Sequence, residues 1–380
     1  MMNGRIKGLD GIRGIAALAL FAVHYNQIVD INYQIGSIDF YQLIANGDHG
    51  VALFFILSGL LLSIPFWRTV LYQQARPSVK NYLIHRLARI LPAYYVALTI
   101  LILLSGLWRF EQAWSDILLH YTFLFNYTEF SFFSINPTFW TLAVEMQFYL
   151  LLPCMFFMLR RYSFSKMIGF FIIMILVFYS LHYLITVSVN KTIVWPFEPA
   201  LTWVRPNGAV VSQSLLAHLP HFILGILAGA VTLILMSKDG IEKGRWTLLC
   251  DAGLVLAVII LVLLLGTSWG DKIQIPYAPY GFPLIPLILA GVTVFIPCSR
   301  YAASMLDSKV MRHLGKVSYG VYIYHLPVLI FVDHKMSMNG LDASEQWAYL
   351  AIISGLLTLL AANLSYYLVE RRILSALHKN

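Results

Sequence analysis

A helical bundle that crosses a membrane many times is the fold that this sequence predicts, and two observations carry the prediction. Hydrophobic residues fill 59% of the 380 positions and charged residues only 12%, with a mean hydropathy of +0.74. A soluble domain carries about 25% charged residues. In addition, apolar segments close to the roughly 20 residues needed to span a bilayer recur along the chain. We therefore predict an all-α polytopic membrane bundle with about ten transmembrane helices.

The predicted spans are apolar segments that run between polar or basic turns. They cover residues 11–28, 50–67, 89–107, 138–159, 167–188, 213–236, 247–266, 281–298, 314–332 and 346–368. Several are short or interrupted by Pro or Gly, so we expect one or two of them to be tilted or re-entrant. We expect a single membrane-embedded domain over residues 1–380, with no appended soluble domain.

Lysine and arginine are distributed unevenly between the two predicted sides of the membrane. With a cytoplasmic N-terminus and ten spans, 21 of the 26 basic residues fall in inner segments and 5 in outer ones. Cytoplasmic loops of membrane proteins carry such an excess. The asymmetry predicts that both termini are cytoplasmic. It also accounts for the net charge of +8, so no nucleic-acid partner is needed to explain that charge.

The first predicted span carries three ionisable residues on one helix face. Asp10 precedes Arg13 by three residues, and His24 follows Arg13 by eleven, which is about three helical turns. His24 therefore lies about 16 Å deeper than Arg13 along the same stripe. Charged side chains inside a membrane cost a few kcal/mol and usually mark function. The stripe predicts one wall of a polar path through the membrane.

A second basic cluster stands where an inner segment enters the third span. Arg86 and Arg89 are three residues apart, on one helix face. Two guanidinium groups so placed can hold a phosphate through charge-assisted hydrogen bonds. Anchoring of the span on the inner side would equally explain basic residues here, so both interpretations stay open.

A carboxylate lies inside the fourth span. Glu145 is about seven residues, or about 10 Å, from the outer end of its span, and His24 is predicted at a similar depth. A desolvated carboxylate can act as a general base or can orient a histidine. The alternative is a structural carboxylate held by polar neighbours in the bundle.

Further histidines stand in or near the spans. His325 falls near mid-membrane in a tyrosine-rich segment, where it is either a substrate ligand, an acid or base, or a buried histidine bonded to a tyrosine. His218 and His221 form an i, i+3 pair without a third ligand at suitable spacing, so we predict no metal site. Asp48 and His49 are expected at the outer mouth.

Six motifs occur in an order that resembles one family. The resemblance covers residues 9 to about 330, and its motifs are Leu9–Arg13, Arg13 with His24, Gly50–Gly59, Arg86 with Arg89, Trp140–Tyr149 and Ser318–His325. Together they resemble the acyltransferase-3 family of integral membrane O-acyltransferases. Two positions depart from the family pattern, His85 where another arginine is frequent and Met146 where an acidic residue is common. Ser58 and Gly59 lie within the third motif. Because both residues are small, they favour close helix packing.

The resemblance implies transfer of an acyl group, usually acetyl, from cytoplasmic acetyl-CoA to a hydroxyl of a surface polysaccharide, a lipopolysaccharide or a lipid-linked sugar. Acetyl-CoA would be a co-substrate, with no permanently bound cofactor. The other expected partners are membrane lipids, an oligomer is compatible with the sequence, and the expected location is the bacterial cytoplasmic (inner) membrane. The expected site residues are His24, Glu145 and Asp10 for catalysis, Arg13, Arg86 and Arg89 for the donor, and Trp140, Tyr149, His325, Asp48 and His49 for the acceptor.

Two alternatives remain at the level of the sequence. The intramembrane charges could serve a transporter or exporter of a polar or lipid-linked solute. An acyltransferase could also act on a small molecule such as an antibiotic instead of a glycan. The sequence leaves open whether transfer is direct or passes through an acyl-histidine.

Overall fold

The computed structural model describes residues 5–192, 210–237, 243–273 and 279–377, which are almost entirely helical. Ten long helices, numbered here in chain order, are α1 Leu9–Val29, α2 His49–Tyr72, α3 Val79–Ser105, α4 Trp140–Leu159, α5 Phe164–Thr192, α6 Leu215–Ser237, α7 Lys243–Leu265, α8 Leu284–Cys298, α9 Lys309–Met338 and α10 Trp347–Ser365. Within the described residues, nine helices are long and apolar enough to cross a membrane, and α8 is a shorter apolar helix of 15 residues. The predicted all-α polytopic bundle is confirmed.

Short elements connect the long helices. The short α-helices are Phe40–Ala45, Trp114–Tyr121, Glu129–Phe132, Trp269–Ile273, Tyr301–Leu306 and Arg371–Leu377. Single 3₁₀ turns lie at Asn46–Asp48, Leu107–Arg109, Glu111–Ala113, Phe125–Tyr127, Pro137–Phe139 and Pro279–Gly281, and a π-helical turn at Tyr366–Glu370. A two-stranded antiparallel ribbon pairs Gln34–Ile35 with Ile38–Asp39.

The orientation of the bundle in the membrane rests on the distribution of basic residues. Three of the basic residues counted in that distribution lie outside the described residues, namely Arg205, Lys238 and Lys379. The placement of both termini in the cytoplasm therefore stays a prediction.

The closest helix pair in the centre of the bundle is α2 with α6. A Cβ added at Gly59 of α2 would overlap the carbonyl oxygen of Phe222, and one at Gly225 of α6 would overlap that of Ile56. Small residues allow such close backbone approach between membrane helices. The indole Nε1 of Trp67 adds a 2.7 Å hydrogen bond to the carbonyl of Ile226. Gly59 thus has the packing role that the sequence predicts.

Helix α1 packs along α9 in the same close manner. A Cβ at Gly315 of α9 would overlap the carbonyl oxygen of Asp10 in α1. This contact fixes the register of the two helices, so the polar stripe of α1 lies beside the tyrosine-rich segment of α9. Any residue with a Cβ at this position would force the two helices apart, because the interior is close-packed.

Hydrogen bonds from tyrosines of α9 draw α3 and α4 towards the same space. Tyr319 donates to the carbonyl of Ile90 in α3 over 2.8 Å. Tyr322 donates to the carbonyl of Thr138 over 2.7 Å and accepts from Thr141 of α4 over 2.6 Å. Buried hydroxyl groups require such partners, and these bonds hold α3, α4 and α9 around a common interior cavity.

Candidate functional site

A cavity of about 310 Å³ lies between α1, α2, α3, α4 and α9. Five charged side chains line it, and all five were singled out from the sequence: Asp10, Arg13, Arg86, Arg89 and Glu145. The structure therefore brings together residues from three helices that are distant in the sequence. The volume is at the lower end of the range of about 300–1,000 Å³ that small-ligand sites occupy.

Glu145 is held in the cavity wall by two hydroxyl donors. Ser58 Oγ donates to its Oε1 over 2.5 Å, and Tyr149 OH donates to the same oxygen over 2.7 Å. Tyr149 stands four residues after Glu145, so both lie on one face of α4. Both bonds end on Oε1 of the carboxylate. Ser58, for which the sequence predicts only packing, thus also orients the acidic group.

The three cavity arginines make no direct ion pair with a carboxylate of the described residues. None of Arg13, Arg86 and Arg89 takes part in an ion pair within 4.0 Å in the described part of the chain. In addition, Arg86 Nε is buried and has no hydrogen-bond partner among the described residues. Half-buried cations without a direct ion-pair partner are costly. Their convergence therefore indicates a site for an anion.

The carboxylate of Asp10 is paired with an arginine outside the cavity. It lies 3.2 Å from the guanidinium of Arg5, which also contacts Asp307. Asp307 in turn lies 3.9 Å from Arg312. The predicted catalytic residue Asp10 therefore lines the cavity as a member of an ion-pair network between α1 and the segment before α9.

His24 is not among the residues that line the cavity. Its Nδ1 lies 2.9 Å from the side-chain oxygen of Gln27, and its ring lies against that of His325, with centroids 5.2 Å apart. The sequence predicts a partnership of His24 with Glu145. The structure instead gives the two groups different hydrogen-bond partners, so a contact between them is not formed.

His325 links His24 to the cavity. Its Nδ1 lies 2.7 Å from the carbonyl oxygen of Tyr322 and 3.1 Å from that of Val321, so Nδ1 carries the hydrogen. Its Nε2 then carries a lone pair and is buried, with no hydrogen-bond partner in the part of the chain that the structure describes. The ring of Tyr322, a residue of the cavity wall, is 5.9 Å away. Tyr322 and the two histidines thus form a continuous row that leads out of the cavity.

The predicted outer residues lie apart from the cavity walls. His49 is buried, with Nδ1 2.8 Å from the carbonyl oxygen of Asn46 and 3.0 Å from the carboxylate of Asp48. Asp48 is close enough to act electrostatically on His24. Trp140 is 6% exposed and packs against Phe55. The structure therefore places Trp140 in the packed core, and its role towards the acceptor stays a prediction.

Trp140 belongs to a buried cluster that also contains two histidines. The ring centroid of His218 is 5.2 Å from that of Trp140 and 5.5 Å from those of His221 and Tyr280. Burial raises the pKa of the Tyr280 phenol well above its ordinary value, so this group stays protonated. Within the described ranges, no group of three or more potential ligands could hold a metal ion.

One acidic residue near the cavity was not found by sequence reasoning. Glu370 is 2% exposed at the end of the π-helical turn and accepts a 3.4 Å hydrogen bond from Ser365. Its charge acts on Arg89 and on Tyr319 of the cavity wall. The available signal was a glutamate at the C-terminal end of the last apolar segment, just before two arginines.

Comparison with known sequences decides the family. A family profile described as an acyltransferase domain, that of acyltransferase family 3, matches residues 6–367. The chain belongs to this acyltransferase-3 family. The family predicted from the six motifs is confirmed, and no solved protein structure matches the chain significantly.

Curated relatives match almost the whole chain. O-acetyltransferase OatA of Staphylococcus aureus (strain NCTC 8325 / PS 47) is 25% identical over 382 residues, which cover 97% of this chain and 57% of OatA. The "Putative peptidoglycan O-acetyltransferase YrhL" of Bacillus subtilis (strain 168) is 24% identical over 394 residues, which cover 97% of this chain and 55% of YrhL. The chain thus spans a little more than half the length of these relatives.

Proposed function

We propose that this protein is a membrane O-acetyltransferase that takes an acetyl group from cytoplasmic acetyl-CoA and transfers it to a hydroxyl of a cell-envelope glycan. The observation that carries the proposal is the convergence of Arg13, Arg86 and Arg89 on one intramembrane cavity, where none of them makes an ion pair with a described residue. A phosphorylated donor would supply the missing negative charge. The family membership and the names of OatA and YrhL support acetyl transfer to a hydroxyl.

The donor would enter at the end of the cavity that carries the arginines. Guanidinium groups hold phosphate through charge-assisted, often bidentate hydrogen bonds. A cavity of about 310 Å³ suits the narrow pantetheine arm, with the bulkier nucleotide left at the mouth. The thioester would then extend along the cavity towards Tyr322, beyond which His325 and His24 lie.

The transfer step needs a base and a stabiliser for the oxyanion. In the direct route, His24 would remove the proton of the acceptor hydroxyl as its oxygen attacks the thioester carbonyl, and the thiolate of coenzyme A would leave. The ring of His325, with its centroid 5.2 Å from that of His24, would hold His24 in place by packing against it. An acyl-histidine intermediate satisfies the same geometry. Hydrogen bonds and the positive charge of the cavity arginines would stabilise the negative charge that develops on the carbonyl oxygen of the thioester.

The acceptor proposed here is peptidoglycan or another envelope glycan. The name of YrhL refers to peptidoglycan, and this supports the proposal for the present chain. The chain covers only 55% to 57% of these relatives. A glycan acceptor is therefore proposed for this chain on the strength of their names. The bacterial cytoplasmic membrane would place the donor and the acceptor on opposite sides of the same protein.

Radiolabelled acetyl-CoA and the purified full chain in vesicles would test the proposal. We expect release of free coenzyme A that depends on an added glycan acceptor, and the appearance of alkali-labile acetyl ester on that acceptor. Arg89→Lys should slow the reaction at low donor concentration, whereas Arg161→Lys, outside the cavity, should not. Translocation of the glycan without acetyl transfer would contradict the proposal and favour a transporter.

A further inference from the structure

A second cavity, of about 380 Å³, lies apart from the first. It is formed by the C-terminal ends of α2 and α4, the start of α5 and the segment that leads into α3. It shares no lining residue with the arginine cavity. The basic residues around it belong to the segments that the charge distribution predicts to be cytoplasmic. The proposed donor would bind in the other cavity, so the proposed function assigns no ligand to this one.

The interior of this second cavity is apolar. Phe66 and Phe156 are each 7% exposed and stack with ring centroids 5.0 Å apart, and Met167 is 1% exposed. These side chains offer a hydrocarbon surface to whatever enters. A small soluble anion would gain no hydrophobic stabilisation from this surface. The cavity therefore indicates a ligand with an apolar part.

The rim of the cavity is basic and open to the surroundings. Two exposed arginines, Arg76 and Arg160, line it, and no acidic residue does so in the described part of the chain. The guanidinium of Arg160 lies 4.0 Å from the ring centre of Phe157, which is 62% exposed. Arginine stacked on an aromatic ring keeps its remaining N–H groups free for an anion. The exposed Phe157 ring also marks a side from which lipid can approach.

We infer that this cavity binds one anionic phospholipid of the membrane. Its phosphate would lie between Arg76 and Arg160, with hydroxyl groups of Tyr162 and Ser163 at the rim, and one acyl chain would cover Phe66. Basic pockets between membrane helices on the cytoplasmic side bind anionic head groups. The combination of two arginines with an apolar interior fits this class better than a zwitterionic lipid, which carries its own cation.

Lipid retention by the purified full chain is the direct test. We would measure, by native mass spectrometry, the binding of phosphatidylglycerol and of phosphatidylcholine added at equal concentrations. Each arginine near an anionic lipid contributes about fivefold in affinity. We expect phosphatidylglycerol to be preferred, and the double variant Arg76→Gln, Arg160→Gln to lose about 25-fold in affinity for it. Both arginines are exposed, so these changes leave the folded core intact.

Two further variants separate this site from general surface charge. Arg161→Gln removes the neighbouring charge that does not line the cavity, so phosphatidylglycerol binding should stay within about twofold of wild type. Val70→Trp keeps every charge but fills the cavity with a bulky ring, so it should lower phosphatidylglycerol binding as the arginine changes do. Monodispersity and thermal unfolding of each variant would report on folding.

Competition experiments identify the class of ligand. Inorganic phosphate at the concentration of the lipid should not displace phosphatidylglycerol, because it cannot use the apolar interior. Coenzyme A should not displace it either, since the proposed donor site is the other cavity. The inference fails if the two lipids bind equally, if Arg161→Gln loses as much as the double variant, or if coenzyme A or inorganic phosphate displaces the lipid.

Discussion

The imidazole of His24 lies against the imidazole of His325, with ring centroids 5.2 Å apart, although the two residues come from opposite ends of the chain. His325 is fully buried, and its Nδ1 is committed to backbone carbonyl groups. His24 is half-buried and has only Gln27 at its Nδ1. Of the two rings, His24 is therefore the one that a substrate can reach, and His325 is a supporting neighbour.

His24→Ala should remove acetyl transfer with little change in donor binding. A general base contributes typically about 10²–10⁴-fold to the rate, and His24 does not line the donor cavity. Single-turnover transfer and coenzyme A binding would be measured together. His313→Ala is the control, since His313 lies elsewhere on α9 and is hydrogen-bonded to Asn363 of α10. Transfer within about threefold of wild type in His24→Ala would exclude His24 as the base.

His325→Asn should lower turnover by about tenfold or more while the protein stays folded. The asparagine amide can replace Nδ1 as donor to the Tyr322 carbonyl, but it supplies no equivalent of Nε2. Residues that act as a unit give non-additive losses. The double variant with His24→Ala should then be no less active than His24→Ala alone. Fully additive losses would show that the two histidines act independently.

Arg86→Lys and Arg89→Lys should each weaken coenzyme A binding by about tenfold. A lysine ammonium keeps the charge but loses the planar, bidentate hydrogen bonding of arginine. Isothermal titration with coenzyme A would measure the effect, and Arg161→Lys serves as the matched control outside the cavity. Wild-type affinity in both variants would mean that the two arginines only anchor the helix on the inner side.

Glu145→Gln should reduce turnover by more than about tenfold and leave coenzyme A binding almost unchanged. Glutamine can still accept the hydrogen bonds of Ser58 and Tyr149 but carries no charge. The comparison is Tyr149→Phe, which removes one donor and keeps the carboxylate. A purely structural carboxylate would give the opposite pattern, with a lower unfolding temperature and unchanged activity per folded molecule.

Gly59→Ala should destabilise the bundle by about 2 kcal/mol or more. Its new Cβ would overlap the carbonyl of Phe222, so α2 and α6 would have to separate, and overpacking of this kind costs about 1–3 kcal/mol. Thermal unfolding in detergent would measure the change. Gly355→Ala in α10 is the matched control, because nothing lies within 4 Å of a Cβ there. Equal unfolding temperatures for the two variants would contradict the close packing of α2 with α6.

The sequence predicted which residues form the site better than it predicted which of them lie in contact. Arg86 and Arg89 line one cavity, as two arginines three residues apart on a helix face suggested. Glu145 lines the same cavity, although the depth estimate from the sequence put it beside His24. The common helix face of the two arginines could be reached from spacing. The contact of His24 with His325 could not, because the rotation and the neighbours of a helix depend on its packing.

The sequence by itself determined the all-α membrane bundle, the positions of its spans and the family, because hydropathy, span length and motif order are properties of the chain read locally. Only the tertiary structure decided which polar groups meet. The close approach of α1 to α9 at Gly315 set His24 beside His325, and the bonds of Ser58 and Tyr149 set the position of Glu145. Such contacts depend on backbone proximity between helices distant in sequence, which no local pattern encodes.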